Sequence, residues 1–177
     1  EPRKGHLQVL RAFESLWKQG HHIPLVFVGR KGWLNDSEVA RLERLNSEEP
    51  LFRWHSNLRD PQVRDCIRES RATIYLSRHE GFGLPPVESL ALGKPVIVTP
   101  HIPSMAMLPT CGQIRLDEVT TQSIQSAVLS LTDNRIAQEK TEEIRNLQLM
   151  TWDSVSQAYA RWIDDTLASR KACKQAA

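Results

Sequence analysis

The stretch ATIYLSRHEGFGLPPVESLALGKPVIV, residues 72–98, decides the fold class. It begins with an apolar run rich in β-branched residues, Ala72 to Ser77, and ends with another, Val96 to Val98. Between the two lie a glycine-rich loop and a pair of prolines, Pro85 and Pro86, which fit only the first turn of a helix. The order strand, loop, helix, strand is typical of a parallel α/β unit, because parallel strands need a crossover connection.

The same alternation continues on both sides of this unit. Further strands are predicted at Leu25 to Val28, Leu51 to His55 and Gln113 to Leu116. Apolar residues recur at helical spacing between the strands, at Leu7, Leu10, Phe13, Leu16 and Trp17 and again at Val39, Leu42 and Leu45. Two more crossover helices are expected at Val63 to Ser70, with Asp60 as N-cap and Pro61 as first residue, and at Thr120 to Leu131. After Thr132 we expect helix to the end, so the predicted fold is α/β: a doubly wound, Rossmann-like parallel sheet with helices on both faces and a helical C-terminal tail.

Composition narrows the class of partner. The chain has 177 residues, 40% hydrophobic and 25% charged, which is the profile of one soluble globular domain. A net charge of +2 gives no electrostatic argument for a nucleic acid or a membrane surface, so a bound anion must be met by local groups. No apolar run approaches the roughly 20 residues that span a bilayer, and no signal-peptide pattern opens the sequence, so we expect a cytoplasmic protein.

The widely spaced Cys66, Cys111 and Cys173 indicate neither a disulfide framework nor a zinc site.

The loop after the Ala72 to Ser77 strand is the most unusual part of the chain. Ligands of open α/β sheets bind beyond the carboxyl ends of the strands, where this loop lies. Its glycines, Gly81 and Gly83, let the backbone approach a ligand closely or take a positive φ. A helix that starts at about Pro85 would present free N–H groups and a positive dipole end to a phosphate.

Two carboxylates flank this phosphate seat. Glu80 lies in the loop, and Glu88 is expected in the first turn of the helix, so both can face one cleft. Carboxylates accept hydrogen bonds from paired hydroxyls. The arrangement therefore suits a nucleotide sugar, which has phosphates in the middle and sugar hydroxyls at either end.

Plainer interpretations stay open for each of these features. A glutamate in a helix's first turn complements the helix dipole without any ligand, and a Gly-x-Gly loop fits an ordinary tight turn. The run Arg3-Lys4-Gly5 fits either a clamp on a diphosphate or a solvated chain end. Arg30 to Trp33 follows a strand, so it fits either a contact to phosphate or base, or a solvated turn.

Several segments together resemble the retaining nucleotide-sugar glycosyltransferases of group 1. Glu80 and Glu88, with seven residues between them that include Gly-Phe-Gly-Leu-Pro, resemble the E-x7-E signature of that family. Four other segments also match. Glu1 to Gly5 resembles the family's E-P-R-K-N/G segment, and Val28 to Trp33 resembles its G-K-K-G-W loop. Glu88 to Ile97 resembles its E-A-M-A-C-G-x-P-V-V segment, and Thr151 to Asp153 resembles its tryptophan-led final helix. The resemblance implies the C-terminal, donor-binding lobe of a two-lobed GT-B enzyme over residues 1–177, nearest to the bacterial mannosyltransferase-like branch.

The resemblance also implies a role for each site residue. Lys4, with Arg3, would meet the donor diphosphate, Arg30 would lie near the base or diphosphate, and Glu88 would hold the ribose diol. The transferred sugar would be contacted by Glu80, as the catalytic carboxylate, and by the backbone of Gly81, Phe82 and Gly83, while Leu84 would offer its N–H to the distal phosphate. The reaction would retain anomeric configuration by same-face attack on an oxocarbenium-like centre, with no metal and no cofactor.

The implied partners are a nucleoside-diphosphate hexose, with mannose as one candidate, and a glycan or lipid-linked acceptor. The acceptor would bind the missing N-terminal lobe, so this chain alone is expected to be inactive, and the full protein would associate peripherally with a membrane where the acceptor is lipid-linked. An alternative function is a non-catalytic nucleotide-sugar-binding or scaffold module derived from such a lobe. A sugar-nucleotide epimerase is a weaker third hypothesis, because no G-x-G-x-x-G turn precedes a helix.

Three departures from the family pattern stand out. Many relatives carry an arginine a few residues before the position of Lys4, and the loop Pro100 to Met105 differs from the family's run of small residues. A strand ending in Val-Gly-Thr would precede Glu1, lying centrally between Leu25 to Val28 and Ala72 to Ser77 in strand order 3-2-1-4-5-6. We expect that slot to be filled by an upstream segment, by another chain, or by distorted closure of its two neighbours.

Overall fold

Strands and helices alternate along the first of two units that make up the chain. The computed structural model describes residues 1–175; the first unit is Glu1–Leu147 and the second starts at Gln148. After a 3-10 turn at Pro2–Lys4, the first unit contains α1 (His6–Lys18), β1 (Leu25–Val28), α2 (Asp36–Glu48), β2 (Phe52–His55), α3 (Asp60–Glu69), β3 (Thr73–Tyr75), α4 (Leu84–Ala91), β4 (Val96–Val98), α5 (Pro103–Met107), β5 (Gln113–Arg115), α6 (Thr121–Ser130) and α7 (Asn134–Arg145).

All of the strand pairs are parallel, and they form two sheets. β1 pairs with β2, so that Phe27 lies opposite Trp54, while β4 pairs with both β3 and β5. Ile97 of β4 lies between Ile74 and Ile114 in this second sheet. With helices on both sides, the arrangement confirms the predicted α/β class of parallel strands joined by helical crossovers.

A gap separates the two sheets at the position expected for a further strand. Within the described residues, β1 has no hydrogen-bonded neighbour other than β2, and β3 has none other than β4. The gap opens into a cleft of about 1240 Å³ that is lined by residues of both strands, and Val26 in the middle of β1 is 47% exposed. Direct closure of β1 on β3 is therefore not what the structure adopts, and the strand expected in the gap stays a prediction.

One hydrophobic core connects the two sheets across this gap. Helix α1 packs against α6, and Phe27 meets Phe52 edge to face with ring centroids 5.3 Å apart. The core draws buried side chains from both sheets and from their helices: Val9, Leu10, Ala12, Phe13, Leu16, Leu25, Phe27, Leu42, Phe52, Leu76, Ile97, Leu116, Ile124, Ala127, Val128 and Leu131. Helix packing thus holds the strands in parallel-sheet order although one ladder is interrupted.

Some predicted boundaries differ from those observed. The N-cap of α3 is Arg59 rather than Asp60, because the Gln62 side chain accepts a hydrogen bond from the Arg59 N–H at 2.9 Å. β3 covers only Thr73–Tyr75, and its continuation is held by other bonds: the Ser77 carbonyl accepts from Thr99 Oγ1 at 2.7 Å. β2 and β5 are each one residue shorter than predicted.

The expectation of continuous helix after Thr132 was wrong. Helix α7 ends at Arg145, and residues 146–151 are not helical. The second unit then contains α8 (Trp152–Gln175), whose start is fixed by Thr151, because the Thr151 hydroxyl accepts the Ser154 N–H at 3.1 Å. Helix α8 therefore begins at the tryptophan that the sequence pattern singled out.

The composition led to two expectations, one about membrane-spanning helices and one about the cysteines. No helix within residues 1–175 is long and apolar enough to cross a membrane. Cys66 and Cys111 are free and half-buried, while the side chain of Cys173 lies outside the described residues.

Candidate functional site

The loop between β3 and α4 is shaped by one glycine and not by both. Gly83 is the N-cap of α4 with φ 85°, and a Cβ there would lie 2.3 Å from Cγ2 of the buried Ile102. No heavy atom would lie within 4 Å of a Cβ on Gly81, and its φ is not positive. The fold therefore requires glycine at position 83, whereas space for a side chain is open at position 81.

A short helix that the sequence analysis missed supports this loop. The Ser104 N–H donates to the Phe82 carbonyl at 2.9 Å, and the Ser104 hydroxyl donates to the Gly83 carbonyl at 2.7 Å. Ser104 lies in α5, within the segment Pro100 to Met105 whose role the family pattern left open. Pro103 was a local signal for a helix start, but no sequence signal showed which loop that helix would contact.

Fewer backbone donors face the ligand side of α4 than the sequence suggested. The helix starts at Leu84, one residue earlier than predicted, so Pro85 and Pro86 occupy its second and third positions. Proline has no N–H. The N–H groups that remain as donors at this end of the helix are therefore those of Leu84 and of the preceding Gly83. No acceptor within the described residues takes either N–H.

The two carboxylates differ in how they are held. Glu80 Oε1 accepts the Ser77 hydroxyl at 2.7 Å and forms an ion pair with Arg3 Nη1 at 2.9 Å. Glu88 is exposed and lies at the fifth position of α4, so its expected place in the first turn was wrong. The cause is the early start of α4 after Gly83.

The basic residues of the 3-10 turn meet acidic partners. Arg3 donates to the His79 carbonyl at 2.6 Å and pairs with Glu1 at 2.6 Å, in addition to its contact with Glu80. Lys4 Nζ lies 3.5 Å from Glu1 Oε1, and its side chain is 39% exposed. Lys4 is thus the more weakly engaged of the two cations.

One cleft brings most of the predicted site residues together. Lys4, Arg30, Glu80, Gly83 and Glu88 all line the cleft that opens from the gap between the sheets. The other predicted site residues, Arg3, Gly81, Phe82 and Leu84, are not part of its lining, although they adjoin residues that are. Over residues 1–175, no group of three or more His, Cys, Asp or Glu side chains could hold a metal ion.

The pKa of Glu80 is expected to lie below the usual glutamate value of about 4.3. Partial burial alone raises this pKa, but the hydrogen bonds from Ser77 and Arg3 and the charge of Arg3 favour the ionised form more strongly. Because folding lowers the pKa, the stabilisation from Glu80 is fully present above about pH 4.3 and is lost as the pH falls through the lowered value. A carboxyl-carbon NMR titration measures it, and Ser77→Ala should raise it; a pKa at or above the usual value in the unsubstituted protein would contradict the observed contacts.

Comparison with characterised proteins identifies mannosyltransferases as relatives. The serotype-specific mannosyltransferase WbdA of Escherichia coli is 41% identical over 98 residues, which cover 55% of this chain and 12% of WbdA. The GDP-mannose:cellobiosyl-diphosphopolyprenol alpha-mannosyltransferase of Xanthomonas oryzae pv. oryzae is 24% identical over 166 residues, 92% of this chain and 43% of that protein. The chain therefore spans less than half the length of these relatives.

Solved structures share the fold. Anabaena Alr3699/HepE in complex with UDP-glucose superimposes with a TM-score of 0.66 at 18% identity, over 96% of this chain and 46% of that one. WaaG, a glycosyltransferase involved in lipopolysaccharide biosynthesis, gives a TM-score of 0.63 at 18% identity, over 81% of this chain and 38% of WaaG. The structural neighbours are GT-B glycosyltransferases.

The family follows from a match over most of the chain. Residues 1–145 match the family described as "Glycosyl transferases group 1". The relatives are named as transferases, so a non-catalytic module is not favoured. The strand arrangement, the cleft and the named relatives are all consistent with this match. The chain belongs to the glycosyl transferases group 1 family.

Proposed function

We propose that this chain is the donor-binding part of a retaining glycosyltransferase that transfers a hexose, with mannose favoured, from a nucleoside diphosphate to a glycan or lipid-linked acceptor. The observation that carries the proposal is the cleft in the gap between the two sheets, whose lining includes Lys4, Glu80, Glu88 and Gly83, the N-cap of α4. The named mannosyltransferase relatives support the choice of sugar.

The diphosphate of the donor binds beside basic side chains and free backbone N–H groups. Lys4 is half-buried and only weakly paired with Glu1, so its ammonium group can turn to the diphosphate. The N–H groups of Gly83 and Leu84, which have no acceptor among the described residues, meet the distal phosphate. Arg30, exposed in the loop after β1, lies near the base or the diphosphate.

The sugars bind at the two carboxylates. Glu88 is exposed on the cleft and free to accept both hydroxyls of the ribose diol. Glu80 and the backbone of Gly81, Phe82 and Gly83 contact the transferred hexose. Open space beside Gly81 suits the close approach of a sugar ring to the backbone.

Catalysis rests on electrostatics. As the glycosidic bond breaks, negative charge develops on the leaving diphosphate and positive charge on the anomeric carbon. Lys4 and the backbone N–H groups stabilise the first, and the Glu80 carboxylate, whose pKa is lowered by Ser77 and Arg3, is ionised to stabilise the second. The acceptor hydroxyl attacks from the face that the diphosphate leaves and gives up its proton to an oxygen of that leaving diphosphate, so the proposed reaction needs neither a protein nucleophile nor a metal.

We expect nucleoside diphosphates to bind this chain weakly, with a Kd of roughly 0.1 to 1 mM, which corresponds to about 4 to 5.5 kcal/mol. Binding is weak because the contacts come from one lobe, and closure against a second lobe would add contacts and exclude water. Calorimetric titration and saturation-transfer NMR with GDP, UDP, ADP and dTDP measure it. Absence of binding by all four at millimolar concentration, in a folded sample, would overturn the proposal, and so would transferase turnover by this chain alone, which we expect to be absent.

A further inference from the structure

The Arg3 guanidinium contacts the loop before α4 and is not part of the cleft lining. Nη1 donates to the His79 carbonyl at 2.6 Å and contacts Glu80 Oε1 at 2.9 Å, while Nη2 pairs with Glu1 Oε2 at 2.6 Å. The Arg3 backbone adds a fourth contact, because its carbonyl accepts the Arg78 N–H at 2.9 Å. Both nitrogens and the backbone of Arg3 therefore tie the 3-10 turn to residues 78–80.

Glu80 is held through one of its two oxygens. Oε1 accepts from Ser77 and from Arg3, whereas Oε2 has no hydrogen-bond partner within the described residues. Ser77 is itself fixed, being 5% exposed and bonded through its carbonyl to Thr99 Oγ1. The carboxylate is thus oriented from two sides, and its second oxygen stays available to a ligand.

Lys4, the next residue, shows the opposite pattern. Its single ion pair, to Glu1, is 3.5 Å long, and it lines the cleft, whereas Arg3 does not. The two adjacent cations share Glu1 but differ otherwise: Lys4 lines the cleft where a diphosphate would bind, whereas Arg3 also contacts the Glu80 carboxylate. Because the Arg3 guanidinium already contacts Glu80, Glu1 and the His79 carbonyl, it has fewer free N–H groups for a phosphate.

We propose that Arg3 is a positioning residue that holds Glu80 through Oε1, so that Oε2 can accept a hydroxyl of the transferred hexose, and that Arg3 does not bind the diphosphate. This replaces the diphosphate contact that the family resemblance implies for Arg3. The inference rests on the proposed function, because it needs a hexose at Glu80.

The test compares two ligands that differ only in the sugar. GDP and GDP-mannose are titrated against the unsubstituted chain, Arg3→Gln and Arg3→Lys. We expect Arg3→Gln to weaken GDP-mannose binding by roughly three- to tenfold while GDP binding changes by less than about twofold, since only the sugar contact depends on Glu80 orientation. Arg3→Lys keeps the charge and should restore part of the loss. Arg78→Gln, which removes a neighbouring exposed arginine, is the matched control and should alter neither affinity.

Two further measurements separate positioning from direct contact. In a Glu80→Ala background, Arg3→Gln should cause no additional loss of GDP-mannose affinity, because the side chain that Arg3 orients is gone. In the ligand-free protein, Arg3→Gln should raise the Glu80 pKa in an NMR titration, a change that loss of a phosphate contact would not produce.

Each outcome decides between defined alternatives. Equal weakening of GDP and GDP-mannose by Arg3→Gln, or an undiminished loss in the Glu80→Ala background, would overturn the positioning role and restore the diphosphate contact. An unchanged Glu80 pKa in Arg3→Gln would also overturn it. If the unsubstituted chain binds no nucleoside diphosphate at all, the proposed function fails, and that result is distinct from any of these.

Discussion

Replacing Gly83 with alanine is expected to lower the free energy of unfolding by about 2 to 5 kcal/mol. An alanine held in the left-handed region costs about 1 to 2 kcal/mol, and Gly83 has a φ of 85° as the N-cap of α4. Its new Cβ would lie 2.3 Å from Ile102 Cγ2, and forcing an extra carbon into a packed site costs about 1 to 3 kcal/mol more. Denaturant titration followed by circular dichroism measures the sum.

Gly81→Ala is the matched control for this substitution. Its Cβ would meet no heavy atom within 4 Å, and its φ is not positive, so stability should stay within about 1 kcal/mol of the unsubstituted protein. The same substitution should weaken GDP-mannose binding more than GDP binding, because the proposed site for the hexose lies against this backbone. Equal destabilisation by both alanines would contradict the account of the loop.

Ile102 provides a second check on Gly83. If the clash with Ile102 contributes to the loss, Ile102→Ala should be less destabilising in the Gly83→Ala background than alone, with a coupling of about 0.5 to 3 kcal/mol. Purely additive losses would assign the whole effect to the backbone conformation of residue 83. Either result still requires glycine there, but only coupling supports the packing of α5 on the loop.

The sequence predicted those features that depend on residues close together in the chain. Strands β1 and β4 were predicted at their observed bounds because each is a short run rich in β-branched and apolar residues, which is typical of a strand. The start of α6 was predicted within one residue, and the structure shows Thr120 to be its N-cap, with a side chain that accepts the Ser123 N–H. Glu80 and Glu88 both line one cleft, as the order of strand, loop and helix led us to expect, although Glu88 lies one position further into α4 than predicted.

The features that the sequence did not predict depend on contacts between distant segments. Arg3 meets Glu80 because the 3-10 turn packs beside the end of β3, although Arg3 and its hydrogen-bond partner His79 are 76 residues apart in the sequence. Ser104 supports the loop from α5. Neither contact has a local pattern, since a charged residue near a chain end and a serine after a proline fit solvated positions equally well.

The separation of the two sheets could be predicted from the sequence only in part. The parallel order and the position of the interruption followed from a resemblance to a doubly wound lobe. How far β1 and β3 would stay apart depended on whether the shared core of α1 and α6 could hold them without a ladder between them. The structure shows that the shared core does so.

Glu88→Ala and Glu80→Ala are expected to affect different ligands, because the proposed site assigns Glu88 to the ribose and Glu80 to the hexose. Losing a charged hydrogen-bond partner costs about 1.5 to 3 kcal/mol, so Glu88→Ala should weaken GDP binding by roughly 10- to 150-fold. Glu80→Ala should leave GDP affinity within about twofold and weaken GDP-mannose. Glu43→Ala, an exposed glutamate on α2, is the control for loss of charge alone.

Stability measured on the same two variants gives an independent readout. Glu88 has no ion pair or side-chain hydrogen bond within the described residues, so its removal should leave the free energy of unfolding within about 0.5 kcal/mol of the unsubstituted value. Glu80→Ala leaves the buried Ser77 hydroxyl and Arg3 without their partner, so we expect a loss of about 1 to 3 kcal/mol. A loss of GDP affinity that is equal for both variants would mean that the two carboxylates do not hold the two ends of the donor, whereas a stability loss confined to Glu80→Ala would still support its contacts with Ser77 and Arg3.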